Sequence, residues 1–356
     1  MTNVGMAMMD NDAVRRNEAK KAAGLKIGTG ILCFQQEELD DLSIEKARTE
    51  LRETPEVVAQ ALAEIRELVK GEPDLNVPDD DFFYKKFLRP CKWYPKSAFN
   101  LMKRFYNFIR THPRYCNDLT PTHERTALVS GILSPLPYRG KDNTRLLLIE
   151  CGKKWKPKEV TLDQIFRGVM LVLFAAMSEP KSQVGGARVI LDMDGLSLSQ
   201  VTYFTPSFAA AVVEWVQKCL PCRLKGIHVI NQPYIFNMVF AIFKPFIQEK
   251  LRNRIHFHGT DRPALLSFIG SKSVPKRYGG EAELPDEPIG EPLYQYLCCF
   301  EDLFIGKHSP SLNYDESRFH GHHRGKFIKK MQCRITISLS PRSFSAAKSD
   351  GYVTKT

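Results

Sequence analysis

The sequence predicts an α/β layer fold with a largely parallel sheet, preceded by a small all-helical unit. Three observations carry this reading. From about residue 145 strand-like apolar runs alternate with helical periods: Arg145 to Glu150, Leu162 to Met177, Ala187 to Met193, Pro206 to Leu220 and Ile227 to Ile230. Before residue 113 the periodic segments are helical and rich in Phe and Tyr. After Ile230 comes a segment with two apolar stripes: Ile235, Val239, Ile242 and Phe246, then Phe236, Phe240, Ile247 and Leu251. At about 100° per residue these cover roughly 220° of the wheel, where a surface helix needs little more than about 100°. Asn237, Lys244, Gln248 and Arg252 fill the polar sector. Such a helix must touch two apolar things. Either both are protein core, or it is a lid with an apolar cavity beneath and a bilayer outside, in which case Phe240 belongs to the outer stripe.

Residues 1–44 are polar and aperiodic and read as a disordered segment. Residues 45–120 form the helical unit. Thr54 and Pro55 open its first clear helix as N-cap and first helical position, and Gly71 closes it. Asp79, Asp80 and Asp81 open a second helix, where acidic residues suit the positive end of the dipole, and it runs to Pro90. A third follows Pro95, with Phe99, Met102, Tyr106 and Ile109 on one face, and stops at His112-Pro113. Residues 121–281 form the α/β unit, with a last strand at Ile255 to Phe257 and a short helix through Leu265 to Phe268. The right-handed crossover rule puts the helices on the faces of the sheet. Residues 282–356 read as a mostly disordered basic tail. Pro285, Pro288 and Pro292 break an acidic stretch, and from residue 318 nine Lys or Arg face the single acid Asp350.

The chain has 356 residues, a formal charge of +11 and 43% hydrophobic residues, ample for a core. The basic balance admits nucleic acid, an anionic membrane or phosphorylated ligands. There is no zinc-finger spacing, no RNA-recognition aromatic motif and no heptad repeat, so nucleic acid is not the expected partner. Nine irregularly spaced Cys and no secretory signal suggest reduced thiols in the cytoplasm. The longest apolar run, Val169 to Met177, is half the ~18 residues a spanning helix needs, so membrane contact is expected to be peripheral.

Basic residues cluster at the end of the two-striped segment: Lys250, Arg252 and Arg254. Arg223 and Lys225 lie at the start of the preceding strand. A strand–helix–strand unit brings a strand's start near the next helix's end. These cations therefore either converge on one anion or complement the helix dipole.

Enzyme motifs are largely absent. No GxGxxG or GxxxxGK[ST] follows a strand, and there is no GxSxG. Asp192-Met193-Asp194-Gly195 resembles the DxDx[TV] of haloacid-dehalogenase phosphatases, but Leu196 holds the fifth position. As a calcium loop it fails at Tyr203, and a turn held by carboxylate–backbone bonds is the simpler role. His256 and His258 share a strand face with no carboxylate or Cys nearby in sequence, which suits packing better than metal. His320, His322 and His323 lie in the tail. The chain is expected to be no enzyme and to hold no cofactor and no metal.

Several motifs occur in order with consistent spacing: FLRP at Phe87–Pro90, ILDMDGLS at Ile190–Ser197, FTPSF at Phe204–Phe208, KGIHVINQP at Lys225–Pro233, FKPFIQEKLRNRIHFHG at Phe243–Gly259 and YGGE at Tyr278–Glu281. Together they resemble the CRAL-TRIO family of lipid-transfer proteins over about residues 50 to 281, and most of all its tocopherol- and retinaldehyde-carrying branch. The resemblance implies a helical N-terminal domain, a lipid-binding α/β domain with a mobile helical gate, and phosphoinositide recognition at a basic cleft. By position, the cleft would use Arg223, Lys225, Lys250 and Arg254, and Arg89 would link the domains. The implied lipid pocket is lined by Phe166, Val169, Leu173, Leu191, Val212, Val216 and Leu220. Leu224 and Ile227 continue it, and Val239, Ile242, Phe243 and Ile247 of the lid close it. Val212, Val216 and Leu220 independently share one helix face. Val169 and Leu173 stand where the tocopherol carrier has small polar residues. The implied partners are a small hydrophobic lipid, bisphosphorylated phosphoinositides and the surface of endosomal or plasma membranes.

Overall fold

The computed structural model describes residues 17–35, 38–285 and 289–304. The expectations for the tail beyond residue 304, including its three His, lie outside the described residues. Two short strands, β1 (Leu25–Ile27) and β2 (Gly30–Leu32), form an antiparallel hairpin. Four helices follow: α1 (Asp41–Leu51), α2 (Pro55–Lys70), α3 (Asp81–Leu88) and α4 (Pro95–Thr111). Then come β3 (Leu133–Pro135), β4 (Arg145–Glu150), α5 (Leu162–Ala176), α6 (Pro180–Gly185), β5 (Ala187–Asp192), α7 (Pro206–Glu214) and β6 (Leu224–Ile230). The chain continues through α8 (Phe236–Phe243), α9 (Glu249–Arg252), β7 (Ile255–Gly259), α10 (Arg262–Ile269) and α11 (Gly290–Cys298).

Local chemistry sets the helix starts. Thr54 accepts a hydrogen bond from the Val57 amide and Asp80 one from the Phe83 amide. Thr161 and Gln164 form a reciprocal capping box at the start of α5. In α3 and α4 the aromatic stripe is buried: Phe83, Tyr84, Phe87, Phe105, Tyr106 and Phe108. Phe105 meets Phe87 on one side and Phe174 of α5 on the other, each edge-on at 5.7 Å. The apolar core therefore runs without a break from the helical layer into the α/β layer.

The strand order is β3-β4-β5-β6-β7. β3 pairs antiparallel with β4, and the other three pairings are parallel. Because the strands follow one another in chain order, every right-handed crossover turns the same way. The crossover elements α5, α7 and α8 consequently crowd one face rather than both, a refinement of the sequence expectation. Side chains alternate along each strand. Ile149, Val189, Leu191, Ile227 and Val229 face the crossover helices. Leu146, Leu148, Ile190 and Ile230 face a second core closed by Leu265 and Ile269 of α10 and by Val274 and Tyr278.

That second face also carries a polar cluster. Arg188 donates to Asp142 Oδ2 at 2.7 Å and to His228 Nε2 at 3.3 Å. His228 Nε2 therefore accepts, and its Nδ1 donates to His258 Nε2 at 2.9 Å. The His228 ring stacks against those of His256 and His258, and Phe268 covers His256. Burial, with Arg188 and the two other imidazoles nearby, pushes His228 down to about 3. Burial also lowers His256 and His258. Among the described residues no group of three such side chains is arranged to hold a metal ion.

Two expectations of disorder fail within the described residues. In the 1–44 segment, Ile27, Leu32 and Phe34 are buried, and α1 begins at Asp41. In the 282–356 tail, α11 buries Leu293, Tyr296 and Leu297. Each segment supplies what the other lacks: the Phe34 amide donates to Tyr296 Oη at 2.9 Å, and their rings stack at 5.8 Å. Strands of three residues show too little periodicity to read, and they are fastened by contacts with distant segments, Tyr138, Arg145, Ser178 and Tyr296.

Arg89 joins the layers. Its guanidinium is paired with Glu53 at 2.8 Å and donates to Gln183 Oε1 of α6 at 2.7 Å. The Trp93 indole donates to the same Glu53 at 3.1 Å. Arg89 is buried, so Arg89→Ala leaves the Glu53 charge uncompensated and should cost about 3–5 kcal/mol in urea unfolding. A loss below 1 kcal/mol would mean the contact is incidental.

The imidazole cluster predicts a pH dependence. Its folded-state pKa values lie below the unfolded value of about 6.5, so the unfolded chain takes up protons that the fold refuses. Stability should be full above about pH 6.5 and decline below it, by about 1.4 kcal/mol per pH unit for each refused proton. Urea titrations at pH 7.5 and 5.5 should show the decline, and His228→Leu should flatten it. An unchanged slope in that variant would place the dependence elsewhere.

Candidate functional site

An apolar cavity of about 250 Å³ lies between the sheet and its crossover helices. Ile149, Leu191 and Ile227 form its floor, and Phe166, Val169 and Leu173 of α5 one wall. Phe208, Val212 and Val216 form the opposite wall, continued by Leu220 and Leu224. Val239, Phe243 and Ile247 close it with Phe236 and Phe240. No charged side chain lines it.

Two expectations for the lid are corrected. The two-striped segment is not one helix. Pro245 has no amide to donate and breaks the ladder, so α8 ends at Phe243, a 3-10 turn spans Lys244–Phe246, and α9 is a separate turn. The inward residues of α8 also differ from the expectation. Phe236, Val239, Phe240 and Phe243 share the inner face, and Phe240 packs on Phe257 at 5.0 Å. Phe240 therefore belongs to the cavity and not to the outer stripe. Ile242 sits about 110° around the helix from the centre of that face and does not line the cavity. The outer surface instead presents Tyr234, 91% exposed, and Met238, 53% exposed. Among the described residues no helix is long and apolar enough to cross a membrane.

A second cavity, a cleft of about 580 Å³, lies behind the first. Arg223, Lys225, Lys250 and Arg254 all line it, so the start of β6 and the turns after the lid do converge. Arg252, the remaining cation of that cluster, does not line it. Three further cations were not singled out in the sequence: Lys92, Arg104 and Lys218. They come from the helical layer and from the end of α7, and sequence spacing carries no sign of their convergence.

Local geometry aims each of them. After α3 the backbone takes two successive left-handed residues, Lys92 (φ 54°) and Trp93 (φ 59°), and this turn delivers Lys92 to the cleft. Arg104 donates to the Lys218 carbonyl at 2.8 Å. Lys218 lies in a π-helical turn, Trp215–Cys219, closed by the Leu220 amide on the Trp215 carbonyl at 2.8 Å. The wide turn alternates the lining: Val216 and Leu220 border both cavities, while Gln217 and Lys218 border the cleft alone. Val216, Leu220, Leu224 and Leu251 thus form a wall common to the two cavities.

Glu50 of α1 is the carboxylate among the cleft's lining residues. It accepts from Arg223 at 2.6 Å and from Lys225 at 3.1 Å. Burial opposes its charge, but those two hydrogen bonds prevail and hold it below the usual carboxylate range.

Asp192 is buried and fully engaged. It accepts from the Asp194 amide at 3.0 Å, from Asn231 Nδ2 at 2.9 Å and from Tyr278 Oη at 2.6 Å. It ties the YGGE turn to the ends of β5 and β6, as a carboxylate-held turn should. Gly152 passes so close to Asp194 that a Cβ there would collide with its carbonyl.

An apolar cavity roofed by one helix, on one face of a sequentially wound sheet, is the framework of a lipid-binding protein. Residues 130–280 match the family described as CRAL/TRIO domain, and the chain belongs to the CRAL/TRIO family of lipid-binding proteins. Among curated proteins it is similar to Alpha-tocopherol transfer protein-like of Homo sapiens, 34% identical over 277 residues, 78% of this chain and 79% of that protein. It is also similar to Clavesin-2 of Rattus norvegicus, 31% identical over 244 residues, 67% of this chain and 73% of that protein.

The lid's facing can be checked directly. Phe240→Asp places a carboxylate in an apolar wall and should lower stability by at least about 2 kcal/mol. Met238→Asp, on the exposed side, should change it by less than about 0.5 kcal/mol. Equal effects in thermal or urea unfolding would refute the assignment of faces.

Proposed function

We propose that the protein is a carrier, not an enzyme, that encloses a small hydrophobic lipid of tocopherol or retinoid type. It exchanges this cargo at phosphoinositide-containing membranes, moving between the cytoplasm and endosomal or plasma membrane surfaces. The carrying observation is the shared wall: one layer of apolar side chains separates a hydrocarbon-lined cavity from a basic cleft. Pocket residues from Phe166 to Ile247 hold the cargo by burying its apolar area, worth about 25 cal/mol per Å². Their all-apolar character specifies size and shape. The cavity's 250 Å³ lies below the roughly 300–1,000 Å³ of ligand sites, so cargo entry must push the lid outward. Tyr234 and Met238 on the lid's outer side supply the apolar contact for a bilayer surface. Arg223, Lys225, Lys250 and Arg254 take the headgroup phosphates, for which paired donors converging from separate elements are needed. Binding there favours an open lid if the open form holds the headgroup better.

The test has two arms. Native mass spectrometry of the purified protein should find one hydrophobic molecule per chain. Lys250→Ala with Arg254→Ala should keep that molecule but weaken binding to vesicles carrying bisphosphorylated phosphatidylinositol by at least tenfold, with wild-type binding falling as salt rises. An empty cavity with normal vesicle binding would instead identify a phosphoinositide-reading module that transfers nothing. Normal vesicle binding by the double variant would refute the cleft.

A further inference from the structure

We propose that the basic cleft contains two anion subsites, and that Glu50 occupies one of them in the free protein. The inference rests on the reading of the cleft as a phosphate site. The occupied subsite is Arg223 with Lys225. One carboxylate oxygen, Glu50 Oε2, accepts from both, at 2.6 Å and 3.1 Å. Two cations converging on one oxygen is the arrangement a phosphate oxygen would meet. Lys46 stands 3.9 Å from the other carboxylate oxygen. Arg223 is anchored independently by its bond to the Val184 carbonyl, so it stays in place when Glu50 leaves.

The open subsite is built by Lys250 and Arg254, with Lys92 and Lys218 on the same cleft. Among the described residues no carboxylate pairs with Lys92, Lys218 or Lys250. Arg254 spends one donor on the Leu224 carbonyl at 2.6 Å and keeps the others. A first phosphate can therefore settle there with nothing to displace. A second phosphate on the same ring then reaches Arg223 and Lys225 at high effective concentration and expels the carboxylate. Expulsion needs no backbone motion. Glu50 is in the last turn of α1, its side chain is 40% exposed, and it can swing into water. The ligand class this selects is a headgroup with two or more phosphates. A headgroup with one phosphate is held by the open subsite alone.

The alternative is that Glu50 merely fastens α1 to β6. The two differ in sign. If Glu50 competes, removing its charge tightens binding; if it fastens, removal loosens the cleft and weakens binding. Glu50→Gln should bind vesicles carrying bisphosphorylated phosphatidylinositol about three- to tenfold more tightly than wild type, the scale of one partly exposed ion pair removed. Vesicles carrying a monophosphorylated phosphatidylinositol should gain less than about twofold, because their phosphate leaves Glu50 in place. Soluble inositol trisphosphate, titrated calorimetrically, should reproduce the larger gain without a membrane. Glu50→Ala should act in the same direction, and thermal melts establish that both variants are folded. Three results overturn the proposal: equal or weaker binding by both variants, equal gains on the two kinds of vesicle, or a gain on vesicles that the soluble headgroup does not share. If wild type binds neither phosphoinositide vesicles nor the soluble headgroup, the phosphate reading of the cleft falls and this inference with it.

Discussion

The Glu53 carboxylate is the point on which the two layers turn. It receives the Arg89 guanidinium and the Trp93 indole, and Arg89 reaches on to Gln183 in the α/β layer. Removing two charges from water is costly, and such a pair is retained where its geometry specifies something. Here it specifies the path of the chain after α3. Lys92 and Trp93 hold left-handed backbone, which costs of order 1–3 kcal/mol for each such residue and persists only when neighbours over-determine it. The Trp93 indole on Glu53 and the bond from the Trp93 amide to the Leu88 carbonyl do so. The turn brings Lys92 of the helical layer to the cleft that the π-helical turn lines from the α/β layer.

Much of the fold was legible because its signals are local and periodic. Thr54 and Asp80 cap the helices whose starts their residue types mark, where their side chains reach the next turn's amides. Val212, Val216 and Leu220 line the cavity, as their helical spacing requires, although a π turn interrupts that helix. What escaped reading was non-local or depended on a single break. The hairpin, α11 and the rim cations Lys92, Arg104 and Lys218 are defined by contacts between distant segments. The sequence places Phe240 on the lid's outer side because both stripes are apolar, and spacing alone does not say which of them faces the sheet. The missing proline amide ends α8 one turn after Val239, which the apolar spacing does not register.

The wall of Val216, Leu220, Leu224 and Leu251 gives the two cavities a mechanical relation. Interiors pack at crystal-like density, and a side chain with a cavity on either side has room to move only toward one at the expense of the other. Leu251 is on α9, beside Lys250, and Leu224 is between Arg223 and Lys225. The residues that meet charge and the residues that meet hydrocarbon are thus adjacent on the same short segments. A backbone shift at either segment moves the cation and its apolar neighbour together.

The docking of the β1–β2 hairpin on α11 has a consequence for how the chain folds during synthesis. Phe34 and Tyr296 are 262 positions apart. The five-stranded sheet, by contrast, adds each strand beside the one made just before it, so it can grow in order as the chain emerges. A ribosome adding about 5–20 residues per second leaves Phe34 without Tyr296 for something like 13–50 seconds. Throughout that interval Ile27, Leu32 and Phe34 remain uncovered by α11. Tyr138, Arg145 and Ser178 reach this segment earlier, but its cover by α11 comes near the end of the described chain, and until then that face is open to chaperones and proteases.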